Sequence, residues 1–135
     1  MKCGTCLCVS LIFLALALLF DIHAGQANQN SQDAYRLTVL KPIKYVEANA
    51  GEPCATAEFI ILNSGYENIN SLSYSSDCQC TLVAFEKTNL SPNEQTKVFM
   101  TVDLSRKHGL HKQEAYVTYK NMTSPNRIVA FFRCN

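Results

Sequence analysis

The sequence has no tryptophan and no surplus of either charge: twelve Lys and Arg stand against eleven Asp and Glu, a formal net charge of +1. Without a basic excess nothing holds a phosphate backbone, which argues against nucleic-acid binding. The missing tryptophan leaves the chain poorer in large binding aromatics. The longest apolar run, from Leu7 to Phe20, falls short of the roughly 20 residues of an ordinary membrane span. A Gly-rich phosphate loop, a serine nucleophile elbow and a His-Glu-x-x-His motif are all absent, so no catalytic constellation stands out. Beyond the N-terminal run there is no segment of helical period and no internal repeat.

What the N-terminus does contain has the order of a secretory signal. Lys2 precedes the apolar run, and a short polar stretch ends at Ala24. Residues 1–24 are expected to be a signal peptide, cleaved after Ala24 or as late as Ala27, with an uncleaved N-terminal anchor as the rival reading. No cysteine lies just past the apolar run, which speaks against a bacterial lipoprotein. The expected destination is secreted or periplasmic, without stable membrane insertion after cleavage. Cleavage removes Cys3, Cys6 and Cys8 and leaves Cys54, Cys78, Cys80 and Cys134, an even count that suits an oxidising compartment. Residues 25–34, "GQANQNSQDA", are polar and aperiodic and read as a flexible leader.

From residue 35 to 135 the texture changes to short alternating apolar runs between turn signals, the pattern of an all-β sandwich. Seven strands are predicted. The first spans Tyr35 to Ala48 and is broken by Pro42, as suits an edge. "ATAEFIIL", "INSLSYS", "TLVAFEK", "TKVFMTVDL", "EAYVTYK" and "RIVAFFRC" follow. In the second, Ala57, Phe59 and Ile61 share one face. In the fifth, Val98, Met100, Val102 and Leu104 point inward. The aromatic residues Phe59, Phe85, Phe99, Tyr116, Phe131 and Phe132 read as core or sheet-face packing rather than a ligand box. Strands that reverse at each connection would gather Cys54, Cys78, Cys80, Cys134, His108 and His111 at one pole. The sequons at Asn89 and Asn121 would lie at the other, as glycosylation candidates if the host is eukaryotic.

The cysteine chemistry turns on geometry. In an extended strand residues i and i+2 share a face but sit about 6.5–7 Å apart, beyond the about 3.5–4.5 Å between Cβ atoms that a disulfide spans. Cys78 and Cys80 can therefore bond each other only across a tight turn. Cross-bridges to Cys54 and Cys134 are the default expectation, each stabilising by about 2–4 kcal/mol. A second possibility is a copper or zinc site built from Cys78, Cys80, Cys54 and Cys134 with His108 and His111. A third is a thiol–disulfide redox pair. Against an activated nucleophile, the carboxylate of Asp77 beside Cys78 disfavours a thiolate.

The order from "AEFIILNSG" through "DCQCT" to the Ser-Pro turn "SPNEQ" and the closing strands resembles the bacterial domain-of-unknown-function 1573 family. These are immunoglobulin-like domains with a Ser-Cys-Gly-Cys-Thr signature. Cys78, Cys80 and Thr81 fit it; Asp77 and Gln79 depart from the usual Ser and Gly. The likeness covers about residues 55–133. Through its similarity to Hydin-type and major-sperm-protein-like domains, it implies an immunoglobulin-like fold, a binding or scaffolding role, a protein partner and no catalytic residues. The expectation is thus a non-catalytic exported module without a cofactor. The alternative is a periplasmic metal-binding or thiol-redox protein acting through Cys78 and Cys80.

Overall fold

A computed structural model describes residues 33–49, 51–120 and 122–134. The expected signal peptide, most of the leader and the sequon residue Asn121 lie outside the described residues. Eight strands follow one another: β1 (Leu37–Val39), β2 (Ile43–Ala48), β3 (Cys54–Asn63), β4 (Ser73–Ser76), β5 (Thr81–Phe85), β6 (Gln95–Asp103), β7 (Gly109–Thr118) and β8 (Asn126–Cys134). They form two four-stranded sheets, β1-β3-β6-β5 and β2-β8-β7-β4. The all-β immunoglobulin-like sandwich expected from the sequence is the fold observed, within a unit running from Tyr35 to Asn135.

Alternation builds the core. Along β3, Ala55, Ala57, Phe59 and Ile61 are buried while their neighbours face solvent; along β6, Thr96, Val98, Met100 and Val102 do the same. Successive side chains of a strand point to opposite faces, so an apolar residue at every second position produces one dry face. Ile128, Ala130 and Phe132 of β8, with Ala115 and Val117 of β7, supply the opposing layer. Phe59 and Phe132 are completely buried, each stabilising by about 1.5–3 kcal/mol relative to exposure.

Three details differ from the sequence expectation. The first expected strand is two strands in two sheets. Leu40 still donates to the Ile60 carbonyl at 3.0 Å, but Pro42 has no N–H to continue that ladder, and its carbonyl accepts from Val129 at 2.8 Å. The chain thus crosses from one sheet to the other at residues 40–42. Second, β2 pairs parallel to β8, from Ile43↔Val129 to Ala48↔Cys134, whereas the other pairings are antiparallel. Third, "INSLSYS" is strand only at its end; Ile69 forms an isolated bridge with Leu90 instead.

The end of the sandwich away from Cys54 is closed by one buried polar residue. Asn63, fully buried, donates from Nδ2 to the carbonyls of Glu67 at 2.8 Å and Leu90 at 3.0 Å, and its Oδ1 accepts from Gly65 at 3.1 Å. Its side chain ties the 64–69 turn to the 90–94 turn with its polar atoms satisfied, as burial requires. Asn89 lies exposed at this end, its Oδ1 accepting from the Ser71 amide at 3.0 Å.

Candidate functional site

The strand registers bring all four described cysteines to one end. Cys54 opens β3 opposite Asp103 of β6. The Asp103 amide donates at 2.9 Å to the Cys80 carbonyl, just before β5. Cys134 closes β8 between Ala48 and Gly109. His111 lies in β7 rather than in the preceding loop, and its Nε2 donates to the His108 carbonyl at 2.9 Å.

Within this group the bonding corrects the cross-bridge expectation. Cys78 and Cys80 are bridged to each other, and Cys54 and Cys134 are free thiols. The reason is local. The segment between β4 and β5 is a turn, not an extended strand: the Thr81 amide donates to the Cys78 carbonyl at 3.1 Å, and the two Cα atoms are 5.1 Å apart. That separation lies within disulfide reach. Ser76 holds the entry to the turn. Its Oγ accepts from the Cys78 amide and donates to the Cys78 carbonyl, both at 3.3 Å. Cys54 faces outward on β3 and is exposed; Cys134 is half-buried and lines a cleft of about 240 Å³ with Ala48, Pro53, Leu104, Lys107 and His108. Among the described residues no three His, Cys, Asp or Glu side chains come together to hold a metal ion.

The pairing changes what the cysteines do for stability. By the loop-closure relation, bridging a three-residue segment contributes about 1.6 kcal/mol, whereas a bridge from Cys54 to Cys134 would contribute about 4.5 kcal/mol. The observed disulfide is a weak staple.

Its surroundings are polar. Lys107 donates from Nζ to Cys80 Sγ at 3.2 Å, and the Cys80 amide donates to Cys78 Sγ at 3.2 Å. Lys107 is set in place by the turn after β6. Its amide donates to the Leu104 carbonyl at 2.9 Å, and Asp103 accepts from Ser105 Oγ at 2.6 Å and the Ser105 amide at 2.9 Å. These bonds from Ser105 hold the Asp103 carboxyl below its ordinary range. Lys107 was missed from the sequence because "SRKHG" reads as an ordinary loop. The available signal was a cation placed by strand count at the pole of the cysteines.

A second feature lies on the outer face of the β2-β8-β7-β4 sheet. Tyr45 stands on the edge strand β2, 76% exposed, with its ring stacked on Phe131 at 5.0 Å between centroids. Ile43 on the same strand face is 53% exposed, and Leu110 of β7 is 59% exposed. Beside them Glu114 pairs with Lys112 and with Arg127, the latter at 2.8 Å. These contacts lower the Glu114 carboxyl, the bond from Lys112 most and that from Arg127 next. The sequence signal was available in "IKYVEA", where Ile43 and Tyr45 are apolar on one face and Val46 and Ala48 on the other.

Among curated proteins no relative matches the chain. Solved structures do. A protein of unknown function from Porphyromonas gingivalis W83 matches with a TM-score of 0.62 at 14% identity, over 76% of this chain and 49% of that one. The chain thus spans about half the length of that structure. An ASH/PapD-like domain of human CEP192 matches at TM-score 0.55 and 11% identity, over 77% of this chain and 88% of that one. The YadV chaperone matches at 0.50 and 9%, over 77% and 53%. At these identities the likeness concerns the fold. The family described as "Protein of unknown function (DUF1573)" matches residues 42–131, most of the sandwich including the Cys-x-Cys turn, and the chain belongs to that family.

Proposed function

We propose that this chain is an exported, non-catalytic binding module that engages a protein partner at the β2 edge of its second sheet. The observation that carries the reading is the exposure of Tyr45 and Ile43 on the outer face of an edge strand. An edge strand leaves backbone donors and acceptors free for another chain, and soluble proteins ordinarily blunt such edges with charge. Here two of the three outward residues, Ile43 and Tyr45, are apolar, with Glu47 as the third, which suits strand addition with side-chain anchoring. An aromatic residue with an apolar ring and a polar tip is a favoured anchor at interfaces. The PapD-like fold of the structural relatives is compatible with this role. Export rests on the signal-like order of residues 1–24.

The test is a photo-crosslinking amino acid placed at position 45 in the native host, with position 82 as control. Leu82 is 62% exposed but lies on β5, in the other sheet. The reading expects a discrete adduct from position 45 that Ile43→Lys abolishes and that position 82 does not give. Identical patterns from both positions would overturn it.

A further inference from the structure

We infer that the Cys78–Cys80 disulfide is an exchange site for an external thiol, with Cys80 as the leaving sulfur and Lys107 as the group that receives its charge. The inference is independent of the binding reading.

Four observations carry it. The bond closes a segment with a sequence separation of only 2, so it constrains little of the unfolded chain. The turn is held without it: Thr81 N–H to the Cys78 carbonyl, Asp103 N–H to the Cys80 carbonyl, and Ser76 Oγ at both backbone groups of Cys78. Opening the bond therefore leaves the two sulfurs side by side and ready to reclose. The two sulfurs are also unequal. Cys80 Sγ has the Lys107 ammonium at 3.2 Å. Cys78 has an amide N–H at the same distance, with Asp77 next to it in sequence. An adjacent cation stabilises a thiolate and a neighbouring carboxylate destabilises one. The sulfur that carries charge more easily leaves faster. Both cysteines are half-buried rather than enclosed.

The step follows. A partner thiolate attacks Cys78 Sγ; the new sulfur–sulfur bond forms as the Cys78–Cys80 bond breaks, and the electron pair departs on Cys80 Sγ, against Lys107. A second partner thiolate then attacks the partner's own sulfur in the mixed disulfide and releases Cys78. Two electrons and two protons pass to this chain, and two partner thiols become one disulfide. The partner is a thiol, either a small molecule or a dithiol protein.

The experiment uses the chain as isolated, whichever N-terminus it carries. Reduced glutathione and a thioredoxin-type dithiol are applied in separate arms at equal thiol concentration, without denaturant. Acid-quenched peptides are mapped by mass spectrometry, and folding is followed by circular dichroism. The inference expects reduction in at least one arm, the faster arm identifying the partner class. It expects glutathione adducts on Cys78 in preference to Cys80, and a reduced protein that stays folded. Lys107→Met should slow reduction about threefold or more, while Lys107→Arg retains the rate. A bond that both reductants leave intact, adducts shared equally or favouring Cys80, or unfolding on reduction would each overturn it. Adduct position is read on the unmutated chain and so does not depend on the variants folding.

Discussion

Asn63 donates its side-chain amide to the carbonyl of Leu90 at 3.0 Å across 27 residues of sequence, inside a fully buried site. One side chain thereby joins two turns. Asn63→Ala leaves the Glu67 and Leu90 carbonyls and the Gly65 amide without that partner. A buried unsatisfied group costs about 1–3 kcal/mol, so the variant should lose about 2–4 kcal/mol in urea unfolding. A loss under about 0.5 kcal/mol, the range of ordinary surface changes, would show that the turns hold without it.

Phe59 and Phe132 face the same core from opposite sheets. Truncating either to alanine should cost about 3–5 kcal/mol, the range for a buried phenylalanine. Tyr45→Ala, which removes the exposed ring stacked on Phe131, should cost only about 0.5–1.5 kcal/mol. Equilibrium unfolding of the three variants checks the ranking. A Tyr45 variant as damaging as the core variants would assign that residue to stability rather than to a partner.

The core was legible because period-two alternation is a local signal. Val98, Met100 and Val102, or Phe59 and Ile61, declare their face from their neighbours alone. Which sheet a strand joins is not local. Nothing between Tyr35 and Ala48 says that Pro42 moves the chain to the other sheet, or that Ile43 pairs parallel with Val129 far along the sequence. The cysteine pairing failed for a related reason. Whether Cys78-Gln79-Cys80 is extended or turned depends on the Thr81 amide finding the Cys78 carbonyl, and the residue types do not display that choice. The contact of Lys107 with Cys80 is tertiary and appears only once both turns are placed.

Acid should weaken the fold in a defined direction. Glu94 is held below its ordinary range by Lys87, then by the Ser91 amide; Asp103 by Ser105; Glu114 by Lys112 and Arg127. Each folded-state value lies below the unfolded one. Their stabilisation is therefore complete above about pH 5 and is lost as pH falls through the folded values. Lys87 is raised, chiefly by its bond to Glu94. Its contribution is complete below its unfolded value and is lost as pH rises through the raised one. Glu94→Gln should thus flatten both the acid and the alkaline limbs of a Tm-versus-pH curve. An unchanged acid limb would contradict the role given to the Lys87–Glu94 pair.

Replacing both Cys78 and Cys80 with serine should cost no more than about 2 kcal/mol, because so short a loop gains little from closure. A loss near 4 kcal/mol would instead point to a bridge spanning a long loop.

Peptide mapping of the native protein without reduction, after alkylation of free thiols, tests the disulfide assignment most directly. The account expects one peptide with an internal Cys78–Cys80 bridge, and Cys54 and Cys134 both alkylated. Peptides joining Cys54 or Cys134 to Cys78 or Cys80 would contradict it.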